Sequence, residues 1–111
     1  MFKGLFSGAA GSADVDLESF ARAVDTGGVM VVDVREPHEF AAGHIPAAIN
    51  LPLSRFDPQE IPTGRPVVLV CQAGGRSRQA LQRAHAAGRA DVKHYTGGMN
   101  GWRMYGGDVT V

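Results

Sequence analysis

One cysteine in 111 residues leaves no intramolecular disulfide to staple the chain, so packing must hold the fold. Excess charge of one sign is also missing. Eleven basic residues balance eleven acidic ones, which provides neither a basic surface for nucleic acid nor a polybasic membrane anchor. No apolar run reaches the roughly 20 residues that a bilayer-spanning helix needs. The opening segment, interrupted by Gly4, Gly8 and Gly11, lacks the continuous apolar stretch of a signal peptide. A lone cysteine argues against a thiolate metal site, and His38, His44, His85 and His94 share no metal-ligand spacing. Together these absences predict a cytoplasmic protein without metal or organic cofactor, whose partners are neither nucleic acid nor membrane.

What is present is an ordinary globular composition, 44% hydrophobic and 20% charged, at a length suited to one domain. Residues 1–13 read as a flexible lead-in. Met1, Phe2, Leu5 and Phe6 could form a docking arm, but so short a segment has little apolar area to bury. From Asp16 onward, Leu17, Phe20, Ala21 and Val24 recur at helical spacing, with Asp16 as the cap and Gly27 and Gly28 as the stop. Val29 to Val32 is an uninterrupted apolar run, as expected of a strand covered on both faces of a parallel sheet, ending at Asp33. Pro37 opens a short helix closed near Gly43, and Ala48 to Leu51 forms a short strand. Leu53 to Ile61 reads as a helical turn or two broken at Pro58. Val67 to Val70 is the most apolar strand, a helix runs from about Ser77 to Ala87, and Val92 to Tyr95 is a last strand before a short segment around Trp102. This alternation of strand and helix predicts a three-layer parallel α/β domain.

Cys71 stands directly beyond the most apolar strand, followed by Gln72, Ala73, Gly74, Gly75, Arg76 and Ser77 at a helix start. In open α/β sheets ligands bind beyond the carboxyl ends of strands, and a helix amino terminus offers unpaired N–H groups and partial positive charge. A loop curled over positive-φ residues at Gly74 and Gly75 makes a nest of N–H groups suited to an anion, here the cysteine's own thiolate. The competing reading is an inert buried cysteine beside a tight glycine turn.

At this point the chain resembles the rhodanese family, over about Asp14 to Val111. The resemblance is carried by Asp33-Val34-Arg35-Glu36 with Glu39-Phe40, by Gly43-His44-Ile45-Pro46 with Ala48-Ile49-Asn50, by the cysteine loop, and by Gly97-Gly98-Met99-Asn100-Gly101-Trp102. It implies a rhodanese-like domain spanning 14–111, a five-stranded parallel sheet of order 3-2-4-5-1 with a first-strand stub near Ala13 to Val15, and a cysteine alternating between thiol and persulfide. Phosphatases of related fold place five residues between cysteine and arginine; here four intervene, and the resemblance associates the shorter loop with sulfur transfer.

The expected chemistry is double displacement. Cys71 thiolate takes the outer sulfur of a small donor such as thiosulfate or a persulfide, and a thiophilic acceptor, cyanide in an assay or a cellular thiol, removes it. The alternative is a sulfur carrier loaded by a partner protein in a relay. Gln72 and Ala73 are uncharged where some relatives place cations, so attraction of a dianion would rest on Arg76, Arg35 or Arg78. Asp33 and Arg35 either orient the loop or contact the donor, or form an ion pair. Glu39 reads as part of a local network with Arg35 and Glu36. His44 is expected to make a structural hydrogen bond, Met99 and Trp102 to fill core or pocket wall, and Arg83, Arg89 and Lys93 to form a solvated face.

Overall fold

A computed structural model describes residues 12–111, so the expectations placed on Met1 to Gly11 lie outside the described residues. The elements in chain order are β1 (Asp14–Val15), α1 (Leu17–Thr26), β2 (Met30–Asp33), α2 (Pro37–Ala41), β3 (Ile49–Asn50), β4 (Val67–Val70), α3 (Gly75–Ala86), β5 (Lys93–Tyr95) and α4 (Gly98–Tyr105). Two 3₁₀ turns, Leu53–Arg55 and Pro58–Glu60, separate β3 from β4. All strand pairs are parallel, and the five-stranded sheet runs β1-β5-β4-β2-β3, the expected order read from the other edge.

Local chemistry sets these boundaries. The Asp16 carboxylate accepts the Ser19 N–H at 2.8 Å, satisfying one of the orphan donors at the start of α1, and Gly27 closes that helix. A reciprocal box between Glu36 and Glu39 opens α2, with the Glu36 N–H donating to Glu39 Oε1 at 2.9 Å and Pro37 in the first turn.

Strand alternation divides the core into two layers. Val31, Val68, Val70 and Tyr95 face α1 and α4, where Phe20 stacks on Tyr95 at 4.4 Å between centroids and meets Trp102 edge-on at 5.4 Å. Val32, Val67 and Leu69 face Ala80, Leu81 and Ala84 of α3. The same alternation carries Cys71 to the α3 side, since it follows Val67 and Leu69 by steps of two.

Two element boundaries differ from expectation. Helix α3 begins at Gly75 rather than Ser77, because Gly74 alone takes the left-handed turn (φ 103°) and Gly75 is already helical. The segment around Trp102 is a two-turn helix, its periodicity hidden by Gly98 and Gly101. Arg89 is not part of a solvated face: its guanidinium donates to the Ile61 and Pro62 carbonyls at 2.9 Å each and pairs with Asp91 at 3.0 Å, tying the loop before β4 to the end of α3. Lys93 likewise donates to the Ser12 carbonyl at 2.9 Å. No helix among the described residues is long and apolar enough to cross a membrane.

Candidate active site

Beyond β4 the chain wraps around the Cys71 sulfur. The Gly74 N–H donates to Sγ at 3.1 Å, Ser77 Oγ lies 3.5 Å from Sγ, and only 1% of Cys71 is exposed. Burial alone pushes the thiol pKa up. The Ser77 hydroxyl and the backbone N–H groups of Ser77, Gly74 and Ala73 outweigh that, leaving it below the ordinary thiol value. Because α3 starts at Gly75, its uncapped first turn and its dipole both point at the sulfur.

The loop is held from below by the glycine-rich segment at α4. The Met99 N–H donates to the Cys71 carbonyl at 2.8 Å, the Asn100 N–H to the Gln72 carbonyl at 3.1 Å, and the Gln72 side-chain amide to Asn100 Oδ1 at 2.6 Å. Gly98 (φ 62°) lies so close that a Cβ there would strike the Gln72 carbonyl, and a Cβ on Gly74 would come within 2.5 Å of the Thr96 carbonyl. The two glycine motifs are therefore halves of one contact.

Asp33 and Arg35 form a buried pair, 0% and 2% exposed, through Nε to Oδ1 at 3.0 Å and Nη2 to Oδ2 at 2.8 Å. Arg35 also donates to the Gly43 carbonyl at 2.8 Å and to Gln72 Oε1 at 3.3 Å. Asn50 completes the cluster by donating to the Asp33 and Arg35 carbonyls at 3.0 and 2.8 Å. The Asp33–Arg35 pair thus braces the loop through Gln72, with the guanidinium occupied on both of its donating edges. The His44 side chain serves locally, its Nδ1–H donating to the Phe40 carbonyl at 2.7 Å and its ring stacked on Phe40, the structural role expected of it.

Glu39 keeps the expected helix-start bond, accepting the Glu36 N–H, but its ion pair is not with Arg35: the carboxylate grips Arg76 across the site, Nη1 to Oε1 at 2.6 Å and Nη2 to Oε2 at 2.9 Å. That bidentate bond, against a burial penalty, holds the Glu39 pKa at about 2 and raises that of Arg76. Arg78 pairs with Asp14 at 3.3 Å. Each of the three arginines expected to attract a dianion therefore already carries a carboxylate.

His94 is the site neighbour that residue patterns did not single out. It lies in β5 beside Leu69 of β4 and Asp14 of β1, faces α3, and is 1% exposed. Its Nδ1 is 2.9 Å from Ser77 Oγ, and Asp14 Oδ1 stands 3.2 Å from Nε2, in ion-pair range though not aligned for a hydrogen bond. A histidine at an inward position of a short strand was the available signal. A separate groove of about 950 Å³, lined by Leu17, Trp102, Tyr105 and Asp108 among others, includes none of residues 71–77. Among the described residues no cluster of three or more His, Cys, Asp or Glu could hold a metal ion.

Sheet, strand-end thiol and N–H nest define an α/β protein with a single free cysteine at the carboxyl end of its central strand. The rhodanese-like domain family model matches residues 16–105, and the chain belongs to that family. A sulfurtransferase of Allochromatium vinosum is 38% identical over 96 residues, 84% of this chain and 90% of that protein. The thiosulfate:glutathione sulfurtransferase of Saccharomyces cerevisiae is 36% identical over 95 residues, 72% of this chain and 68% of that one. The human single-domain sulfurtransferase superposes with a TM-score of 0.71 at 29% identity, covering 85% of this chain and 97% of that structure. Other relatives are longer, and the chain spans about half of their length.

Proposed function

We propose that residues 14–111 form a cytoplasmic sulfurtransferase domain in which Cys71 carries sulfane sulfur as a persulfide. The observation that supports this best is the sulfur itself, cupped by the Gly74 N–H and the Ser77 hydroxyl at a helix start, contacts that favour the thiolate. Cys71 thiolate attacks the outer sulfur of the donor, the bond between that sulfur and the leaving group breaks, and sulfite departs when the donor is thiosulfate. The terminal sulfur of the persulfide carries the negative charge that the loop, Gln72 to Ser77, and the α3 dipole are arranged to receive. A thiol or cyanide acceptor then attacks that terminal sulfur and returns the thiolate. No step calls for a metal or an organic cofactor.

The occupied arginines favour one donor class. Arg35, Arg76 and Arg78 are each paired with a carboxylate, so none of these three offers a dianion an unneutralised charge, and we favour a low-charge persulfide, small or on a relay protein, over thiosulfate. A sulfur carrier fed by a partner protein is the second reading that this observation supports. Steady-state kinetics separate them. Higher kcat/KM with glutathione persulfide than with thiosulfate fits the enzyme reading. Transfer only from a persulfidated protein fits the carrier. Activity surviving Cys71→Ser with every donor contradicts both.

A further inference from the structure

Four polar side chains are threaded through the α3 side of the sheet in one line: Cys71 Sγ, Ser77 Oγ at 3.5 Å, His94 Nδ1 at 2.9 Å from that oxygen, and Asp14 Oδ1 at 3.2 Å from His94 Nε2. Three strands and a helix build this line. Cys71 follows β4, Ser77 lies in the first turn of α3, His94 belongs to β5, and Asp14 is its register partner on edge strand β1. Ser77 and His94 are 0% and 1% exposed, whereas the Asp14 side chain is 46% exposed, so the line leads from a sealed sulfur to solvent.

Burying a histidine at that position is costly unless its nitrogens are used. An apolar residue would pack as well against α3, so the ring's placement calls for a role beyond filling the layer. We propose that His94, acting through the Ser77 hydroxyl and backed by Asp14, is the positioning base that receives the Cys71 thiol proton. This rests on the reading of Cys71 as the nucleophile. The step balances within the four residues. The Cys71 S–H bond breaks and its proton passes to Ser77 Oγ, while the Ser77 hydroxyl proton passes to His94 Nδ1. A thiolate and an imidazolium result, and no other reactant takes part. The imidazolium then donates Nδ1–H to Ser77, leaving the serine hydroxyl to point its own hydrogen at the thiolate. When His94 is neutral with its proton on Nε2, Ser77 donates to His94 instead, and its oxygen accepts the thiol hydrogen. Ser77 thus reverses direction with the charge on His94.

The charged groups facing His94 are Asp14 from β1 and Arg78 from α3, itself paired with Asp14 at 3.3 Å. Burial, together with Arg78, lowers the His94 pKa, while Asp14 opposes them. Burial thus favours the neutral ring, the form that can accept a proton on Nδ1, and Asp14 faces the ring when it is charged.

Because Cys71 is the one cysteine of the chain, alkylation by iodoacetamide reports its thiolate alone. The test follows alkylation rate against pH in the wild type, Asp14→Asn, His94→Asn, Ser77→Ala and Ser77→Thr, independently of any sulfur donor. The expected result is an upward displacement of the midpoint in His94→Asn and Ser77→Ala, about tenfold slower alkylation at neutral pH, and convergence with the wild type at alkaline pH. Asp14→Asn, on the exposed end, gives a smaller displacement in the same direction, and Ser77→Thr, which keeps the hydroxyl, restores the profile. Should the buried variants not fold, ring-nitrogen NMR of the unaltered protein decides: His94 must respond in the same pH range in which the thiol titrates. A rate lowered equally at every pH, an unmoved midpoint, or a His94 signal blind to thiol ionisation overturns the proposal. Loss of sulfur transfer with an intact alkylation profile would instead count against the function of Cys71 and leave the relay standing.

Discussion

Two arginines, Arg35 beside the cysteine loop and Arg76 within it, are each clasped by a carboxylate, and the contrast between them organises the site. Arg35 and Asp33 are sealed, 3% and 0% exposed at the side chain, and their remaining donors are taken by the Gly43 carbonyl and Gln72. Arg76 and Glu39 meet at 2.6 Å across open edges, 34% and 25% exposed. The first pair is part of the scaffold, because removing either member strands a charge where water cannot reach it. The second can be separated at little cost, so it is the one that could adjust to an incoming anion.

Breaking the buried pair has the largest expected effect. Asp33→Ala should cost about 3–5 kcal/mol of stability in chemical denaturation, with lost loop geometry as a consequence. Gly98→Ala comes next, since the added methyl meets the Gln72 carbonyl and forces φ out of the left-handed region; about 1–3 kcal/mol is expected, with slower alkylation of Cys71. Glu39→Gln sharpens the contrast from the other side. Screening by solvent limits the stability change to less than about 1 kcal/mol. The freed Arg76 should raise kcat/KM for thiosulfate several-fold relative to glutathione persulfide, and an unchanged ratio would show that the Glu39 clasp does not govern donor charge. The smallest effect is acid sensitivity. The folded pKa of Glu39, about 2, lies below the ordinary 4.5, so its contribution is fully present above pH 4.5 and fades as pH falls towards 2. Glu39→Gln should therefore flatten the acid limb of the stability curve, measured by denaturant midpoint against pH.

Apolar patterning made the central strands legible, because Val67 to Val70 and Val29 to Val32 read as doubly covered strands, and capping chemistry at Asp16 and Gly27 marked α1 within a residue, whereas the strand order and the two-residue β1 followed only from the family resemblance. The loop was legible as a set, from Cys71 to Ser77, since its elements are consecutive. Pairings between distant segments were not. Glu39 and Arg76 stand 37 residues apart, so local spacing pointed to the helix-start partner Glu36, which Glu39 does engage, and gave no sign of the cross-site arginine. His94 was obscured for a related reason: β5 has three residues, too few for its alternation to announce which one points at α3. The helical start at Gly75 was masked by glycine's poor propensity, although the uncapped N–H groups of that turn are what the sulfur needs.

The proposed chemistry requires sulfur to reside covalently on Cys71. Intact-mass spectrometry of the wild type and Cys71→Ser, after incubation with glutathione persulfide or thiosulfate and then with cyanide, measures this directly. The expected result is a gain of one sulfur atom in the wild type alone, removed by cyanide. No gain with either donor or with a persulfidated partner, or an equal gain in Cys71→Ser, would contradict it.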